Sequence, residues 1–292
     1  MAAHGIRGHG HRVVSALIVI TLNLLSQRLL ADTPDLARAA ARVTQIIAHR
    51  GACVERPEST LSAFQRAIEV GATAVEVDVR VSSDGQFFLL HDATLDRTTN
   101  AQGLASKRTL RELQELDAGF KFGAAYQGER IPSLIEAAEI CRGKVDLLLD
   151  LKEQGADFDR QVVDVIRKHG DPSRTIAGVR TISQAKRFRK LLPEARQLAM
   201  IPTVDMIEEF AAAGVDTIRL WPKWLKENDA PVQRVRAAGK KLHLNGSSGN
   251  LEETLALLVY EPDSLLSDDP RRQKATLTRI ASGDLPDKLL RP

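Results

Sequence analysis

Glu76 and Asp78 stand two residues apart in Ala74-Val75-Glu76-Val77-Asp78-Val79, a run that is otherwise apolar. On a β-strand alternate side chains leave opposite faces, so the two carboxylates share one face and the three valines share the other. Two ionised carboxylates side by side near an interior repel and lose hydration, and a hard divalent cation with oxygen ligands is the simplest compensation. An edge strand showing its acids to water is the plainer alternative. The surrounding groups favour the cation. His49-Arg50-Gly51, His91-Asp92 and the pair Asp150 and Lys152 each close a short apolar run. Glu76, Asp78 and Asp150 offer oxygens to one Mg²⁺ or Ca²⁺ and leave positions for water and substrate. Arg50 and Lys152 supply positive charge suited to a phosphate, and His49 and His91 can trade a proton near neutral pH. A metal, two cations and an acid/base pair together suit phosphodiester cleavage.

These groups need elements to position them. Apolar strand-like runs alternate with amphipathic helices along the chain. The strand candidates are 43–48, 74–79, 87–90, 145–151, 175–179, 197–201, 217–220, 241–245 and 264–267. Helices are expected near 60–70 (with Ser59 as N-cap), 133–141, 158–169, 184–192, 204–213, 231–238 and 251–260. Such alternation argues for a parallel sheet covered by helices. No G-x-G-x-x-G follows the first strand, which removes the main cue for a dinucleotide-binding sheet. The fold expected is α/β, a (β/α)₈ TIM barrel. Its active site would lie at the C-terminal ends of the strands, where the titratable groups fall. Nine strand candidates exceed the eight a barrel needs, so one of the later ones, 197–201 or 217–220, is expected to be short or outside the ring. Residues 92–130, punctuated by Gly103, Gly119, Gly123 and Gly128, form a long insertion after the third strand with one short helix near 110–116.

The chain has 292 residues, 43% hydrophobic and 27% charged, with a net charge of +3 and only 4% aromatic residues. That balance, without basic-aromatic interleaving, speaks against nucleic-acid binding. Arg7 and Arg12 precede the apolar run Val13–Leu25, and Ala31 precedes the polar Asp32-Thr33-Pro34. Residues 1–31 therefore read as a secretory signal peptide, residues 32–42 as a linker and 43–292 as the barrel, with a secreted or periplasmic location. The apolar run is short for a membrane span, although an uncleaved anchor is the alternative. Cys53 and Cys141 are the only cysteines and have no metal-ligand spacing. They are read as two thiols, with a disulfide as the alternative.

The ordered motifs His49-Arg50-Gly51, Pro57-Glu58-Ser59-Thr60-Leu61-Ser62-Ala63-Phe64, Glu76-Val77-Asp78-Val79, Asp84-Gly85 and His91-Asp92 resemble the glycerophosphodiester phosphodiesterase family. Thr94–Thr99, Ile131-Pro132-Ser133-Leu134 and Ser267-Asp268-Asp269-Pro270 extend the resemblance over nearly all of residues 45–270. It implies a barrel that hydrolyses glycerophosphodiesters to an alcohol and glycerol 3-phosphate. By this resemblance His49 and His91 are catalytic. Of the two, His91 is read from the residues as the acid and His49, beside Arg50, as the base. By the same resemblance Glu76, Asp78 and Asp150 bind one divalent cation, Arg50 and Lys152 contact the phosphate, and the 92–130 insertion caps the site and helps to bind glycerol. The partner implied is a small-molecule phosphodiester, with no nucleic acid and no stable membrane span after signal removal. A lysophospholipid or another phosphodiester is the alternative substrate, and a barrel that binds a phosphorylated ligand without turnover is the alternative function. The chain departs from the family pattern at several positions. Asp150 stands where Glu is usual, and Ser59 where Asn is usual. Arg180-Thr181 lies near the position of a usual Ser-Phe pair, and His243-Leu244-Asn245 keeps only the Asn of a late Trp-Thr-x-Asn pattern. The catalytic half is intact and the second half has drifted.

Overall fold

The computed structural model describes residues 33–285. The elements in chain order are α1 (Thr33–Arg42), β1 (Gln45–Ala48), α2 (Leu61–Glu69), β2 (Ala74–Val81), β3 (Phe87–Leu89), α3 (Leu110–Gln114), α4 (Leu134–Cys141) and β4 (Asp146–Leu151). There follow α5 (Ala156–His169), β5 (Thr175–Val179), α6 (Ile182–Leu191), β6 (Arg196–Ala199), α7 (Ile207–Ala212) and β7 (Thr217–Leu220). The last are α8 (Ala230–Ala237), β8 (Lys241–Ser247), α9 (Leu251–Leu258), β9 (Ser264–Ser267) and α10 (Pro270–Ala281).

Eight strands close into a parallel ring in the order β1-β2-β4-β5-β6-β7-β8-β9, with β9 and β2 both pairing with β1. This is the expected (β/α)₈ barrel. The strand outside the ring is β3, not 197–201 or 217–220, which both form ring strands as β6 and β7. The reason is length. At eight residues β2 overshoots the rim, and a turn at Ser82–Gly85 sends β3 back antiparallel along the overshoot, with Val81 opposite Phe87 and Val79 opposite Leu89. Apolar periodicity marks 87–89 as a strand but does not say which way it runs.

Alternation along each strand divides the core in two. Outward residues such as Val75, Val77, Leu147, Leu149, Ile218 and Leu244 pack with Phe64, Ile166, Phe188 and Phe210 of the helices. Inward residues Ile47, Ala74, Leu148, Ile176, Leu198, Met200 and Leu266 fill the barrel as a separate apolar plug. Burying a Leu or Ile side chain contributes about 1.5–3 kcal/mol, so this two-sided packing gives the site a rigid base. Gly178 on β5 has to lack a side chain, because a Cβ there would sit 2.6 Å from both Leu149 O and Met200 Cε.

Three further differences have local causes. Residues 33–42, expected as a linker, form α1, whose Leu36, Ala39 and Ala40 at helical spacing pack with Leu277 and Ile280 of α10. The N-cap of α2 is Thr60 rather than Ser59, since the Thr60 hydroxyl accepts from Ala63 N. The two cysteines are unpaired thiols, Cys141 buried on α4 and Cys53 half-buried in the loop after β1. The signal peptide reading falls on residues 1–31, outside the described residues. No described helix is long and apolar enough to cross a membrane.

The 92–130 segment builds its own small core from Leu95, Ala105, Leu113 and Ala118 against Phe88, Leu90 and Ile131. It docks on the loop after β1 through Arg56, which donates to Tyr126 Oη at 2.7 Å, and through Arg97, which pairs with Glu58 at 2.6 Å.

Candidate active site

The plug ends where carboxylates begin. Glu76 and Asp78 are the next inward residues of β2 above Ala74, and Asp150 is the next inward residue of β4 above Leu148. Strand register sets Asp78 directly beside Asp150. Ligand oxygens of Glu76, Asp78 and Asp150 all lie within 4.8 Å of one another, and all three residues are buried. These groups line a cavity of about 300 Å³ together with His49, Arg50, His91, Lys152 and Asp268.

The donor set suits a hard divalent cation. Asp78 is 1% exposed, yet neither of its carboxylate oxygens accepts a well-directed hydrogen bond. Lys152 Nζ lies 2.7 Å from Asp78 Oδ1 and Arg50 Nε 3.5 Å from Oδ2, so attraction is present without saturation of the lone pairs. Glu76 accepts one hydrogen bond, from Arg50 N at 2.9 Å. Burial, with the charges of Asp78 and Asp150 added, pushes the Glu76 carboxyl well above its ordinary range. Asp150 goes the other way. Burial opposes its ionisation, but Lys152 at 2.6 Å and Arg180 at 2.5 Å hold it below the usual carboxylate range. A buried acid cluster that its own cations satisfy only in part is a site with room for another positive charge.

Both histidines reach the rim by different routes. His49 follows β1 directly, and its backbone N donates to Ser267 O at 2.9 Å. His91 arrives on the returning β3, where Leu90 N donates to Asp78 O at 3.1 Å. Each has its Nδ1 against a carboxylate, His49 on Asp268 and His91 on Asp92, both at 2.7 Å. A carboxylate on Nδ1 fixes the tautomer and the ring plane and leaves Nε2 free for proton transfer. Asp92 is itself gripped by Arg97 at 2.6 Å, and chiefly that hydrogen bond lowers it to about 2. Asp268 has His49 as its ion-pair partner, and the His49 hydrogen bond is the main reason it lies below the usual range.

Arg50 is placed by an unusual backbone. Its φ of 55° and that of Ser59, 57°, both lie in the left-handed region, and Ser59 N donates to Arg50 O at 2.9 Å, tying the two together. The turn puts Arg50 N on Glu76 and Arg50 Nη1 on Glu58 Oε1 at 2.9 Å. Gly51, with φ 88°, follows at a point where a Cβ would fall 2.7 Å from the Ala63 backbone.

All seven residues proposed from the sequence for the site therefore line one cavity. The sequence reading assigned no role to the groups that orient them: Asp268 and Asp92 behind the histidines, Arg97 and Glu58 behind Asp92 and Arg50. Their signal was present, since Asp268, Asp92 and Glu58 lie in the quoted motifs, but one-dimensional spacing does not show which carboxylate meets which imidazole. Arg180, Arg219, Trp221, His243 and Asn245, which complete the far wall, were not proposed as site residues.

Comparison with known proteins agrees with this geometry. Residues 49–272 match the glycerophosphoryl diester phosphodiesterase family. The chain is 30% identical over 233 residues to a glycerophosphodiester phosphodiesterase of Caldanaerobacter subterraneus, an alignment covering 78% of this chain and 95% of that protein. Among solved structures it is similar to an Oleispira antarctica phosphodiesterase in complex with the product sn-glycerol-3-phosphate. That match has 26% identity, a TM-score of 0.69, and covers 82% of this chain and 99% of that one. A glycerophosphodiester phosphodiesterase from Agrobacterium tumefaciens superposes with a TM-score of 0.65 at 27% identity, covering 80% of this chain and 99% of that one.

Proposed function

The chain belongs to the glycerophosphodiester phosphodiesterase family, and from that premise we propose that it hydrolyses glycerophosphodiesters to an alcohol and glycerol 3-phosphate. The observation that carries the proposal is the convergence in one cavity of three buried carboxylates with two histidines, each backed by a carboxylate on Nδ1. Glu76, Asp78 and Asp150 would hold one divalent cation, Mg²⁺ or Ca²⁺, which supplies Lewis-acid polarisation of the phosphoryl oxygens. Arg50 and Lys152 sit against the same carboxylates and bring positive charge to the phosphate.

The two histidines divide the proton work. One Nε2 takes the proton of the attacking oxygen and the other returns a proton to the leaving alkoxide. Their backing carboxylates are unequal. Asp92 shares its charge with Arg97, whereas Asp268 pairs among the described residues with His49 only. The two rings are thus held by different neighbours, and the assignment of His91 as acid and His49 as base, read from the sequence, is decided by leaving-group dependence.

The test is release of glycerol 3-phosphate from a panel of alkyl glycerophosphodiesters, with and without chelator. Release that stops with chelator and returns with Mg²⁺ or Ca²⁺ is expected. Full activity in chelator would remove the cation from the proposal, and a phosphorylated alcohol in place of glycerol 3-phosphate would reverse the cleavage assignment. The signal-like composition of residues 1–31 supports placing this activity outside the cytoplasm. The exported protein should then begin near Asp32, and mass spectrometry finding residues 2–25 retained would favour an anchor instead.

A further inference from the structure

The wall of the cavity facing the carboxylates is itself cationic. β7 lies across the ring from β2, and its inward residue, Arg219, lines the cavity at only 9% exposure. Among the described residues no carboxylate is within ion-pair distance of Arg219, and its buried Nε donates no hydrogen bond. Its guanidinium stacks on the Trp221 ring, 4.7 Å from the centroid. The other groups around it do not neutralise it. Arg180 repels it, and Asp150, which attracts it from beyond ion-pair distance, is itself paired with Lys152 and Arg180. His243 is fixed between Ser264 Oγ at 2.8 Å and Asn245 Oδ1 at 3.0 Å, and burial, with Arg219 adding to it, lowers it to about 3, so it is neutral. Arg219 is lowered to about 10 by burial and by Arg180, which leaves it charged at neutral pH.

A buried, charged guanidinium with an aromatic face but no anion beside it is unfavourable in the free protein and is expected where a ligand completes it. The glycerol half of a glycerophosphodiester carries hydroxyls and no charge. With the phosphate at the carboxylates, an anion at Arg219 must therefore belong to the alcohol. We propose that Arg219, with Arg180 beside it, is an anion subsite for the leaving alcohol. The preferred substrate is then a glycerophosphodiester whose alcohol carries a second acidic group, a carboxylate or a phosphate. Leu198 and Met200, apolar residues of the cavity lining, suit the carbon spacer between the two acids. This inference rests on the hydrolase reading above.

The experiment compares kcat/KM of the full-length protein, with Mg²⁺ or Ca²⁺ in excess, on esters matched in length. Glycerophospho-3-hydroxypropionate and the glycerophospho ester of 2-phosphoethanol carry the second acid, glycerophosphopropanol is neutral and glycerophosphocholine is cationic. A charge-assisted pair in a desolvated pocket predicts that an acidic ester exceeds the propanol ester about 10- to 100-fold, mainly through KM, with the choline ester lowest. The better of the two acidic esters identifies which acid fits. Arg219→Gln should bring the acidic-to-neutral ratio close to unity, a ratio that does not depend on the fraction of folded protein. Arg219→Lys, which keeps the charge but loses the fork, should retain part of it. Equal kcat/KM on acidic and propanol esters would overturn the subsite while leaving the hydrolase reading intact. No turnover of any ester would overturn both.

Discussion

His49 and His91 are chemically alike, and what separates them is the company of their Nδ1 atoms. An Asp268 without an arginine partner stands behind one, and an Asp92 shared with Arg97 behind the other. His49→Ala and His91→Ala should each lower kcat on an alkyl diester by about 10²–10⁴-fold with folding preserved, the usual worth of a positioned acid or base. An activated aryl ester needs no protonation of its leaving group, so it should restore most of the rate in the His91 variant and little in the His49 variant. Rescue of His49→Ala instead would give the acid role to His49, and normal rates in both variants on alkyl diesters would end the acid/base assignment. Asp268→Asn bears on the same point, because an amide can present its own N–H to Nδ1 and no longer holds the tautomer that leaves Nε2 free to accept a proton. Its rate loss should be similar on alkyl and aryl esters, since the attacking oxygen must lose its proton in both.

Most of the elements that carry these side chains were legible in the sequence. β5, β7 and β9 have the bounds their apolar patterns indicate, and Ser133 caps α4 with the Glu136 that a capping box requires. What escaped were α1 and α10, whose apolar residues find each other across the whole length of the chain, and the direction of β3. Partners far apart in sequence leave no local trace. The tied turn after β1 is a similar case: nothing around Arg50 announces φ 55°, and the substitution at Ser59 acquires a meaning only in three dimensions. Ser59 sits at φ 57° with a buried Oγ that has no hydrogen-bond partner. The left-handed conformation costs an ordinary residue about 1–2 kcal/mol, and Asn, the usual family residue here, tolerates it better. Ser59→Asn should therefore stabilise the protein by about 0.5–1 kcal/mol, or roughly 1–4 °C in Tm for a domain of this size. A fall in Tm would show that the surrounding loop is fitted to the smaller side chain and that strain at Ser59 is not what limits stability.

At the scale of the whole barrel, the apolar plug and the acid cluster above it are two consequences of one alternation, and residues 74–150 alone spell out the acid cluster. The second half was less readable, because Arg180, Arg219 and His243 look like surface or core residues until the ring closes and turns them to one cavity. Closing the ring also gathers Glu76, Asp78 and Asp150 in the interior, which makes the metal-free protein pay for its site. Glu76 has a folded-state pKa raised by burial, Asp78 and Asp150 above its unfolded value. The stability associated with its protonated form is complete below the unfolded pKa, about 4.3, and is lost as pH rises through the folded one. Other carboxylates titrate with the opposite sign, Asp92 and Asp268 among them, so the Glu76 contribution shows best as a difference. In chelator, Glu76→Gln should be more stable than the native protein, by a margin that widens from pH 5 to pH 8. Adding Mg²⁺ or Ca²⁺ at 100 times its Kd should stabilise the native protein by about 2.7 kcal/mol, a Tm rise of roughly 5–10 °C, and should move the variant far less. Because thermal unfolding needs no substrate, this measurement isolates the cation from catalysis. A native Tm indifferent to chelator and to both ions would mean that the three carboxylates are balanced by Arg50, Lys152 and Arg180 alone.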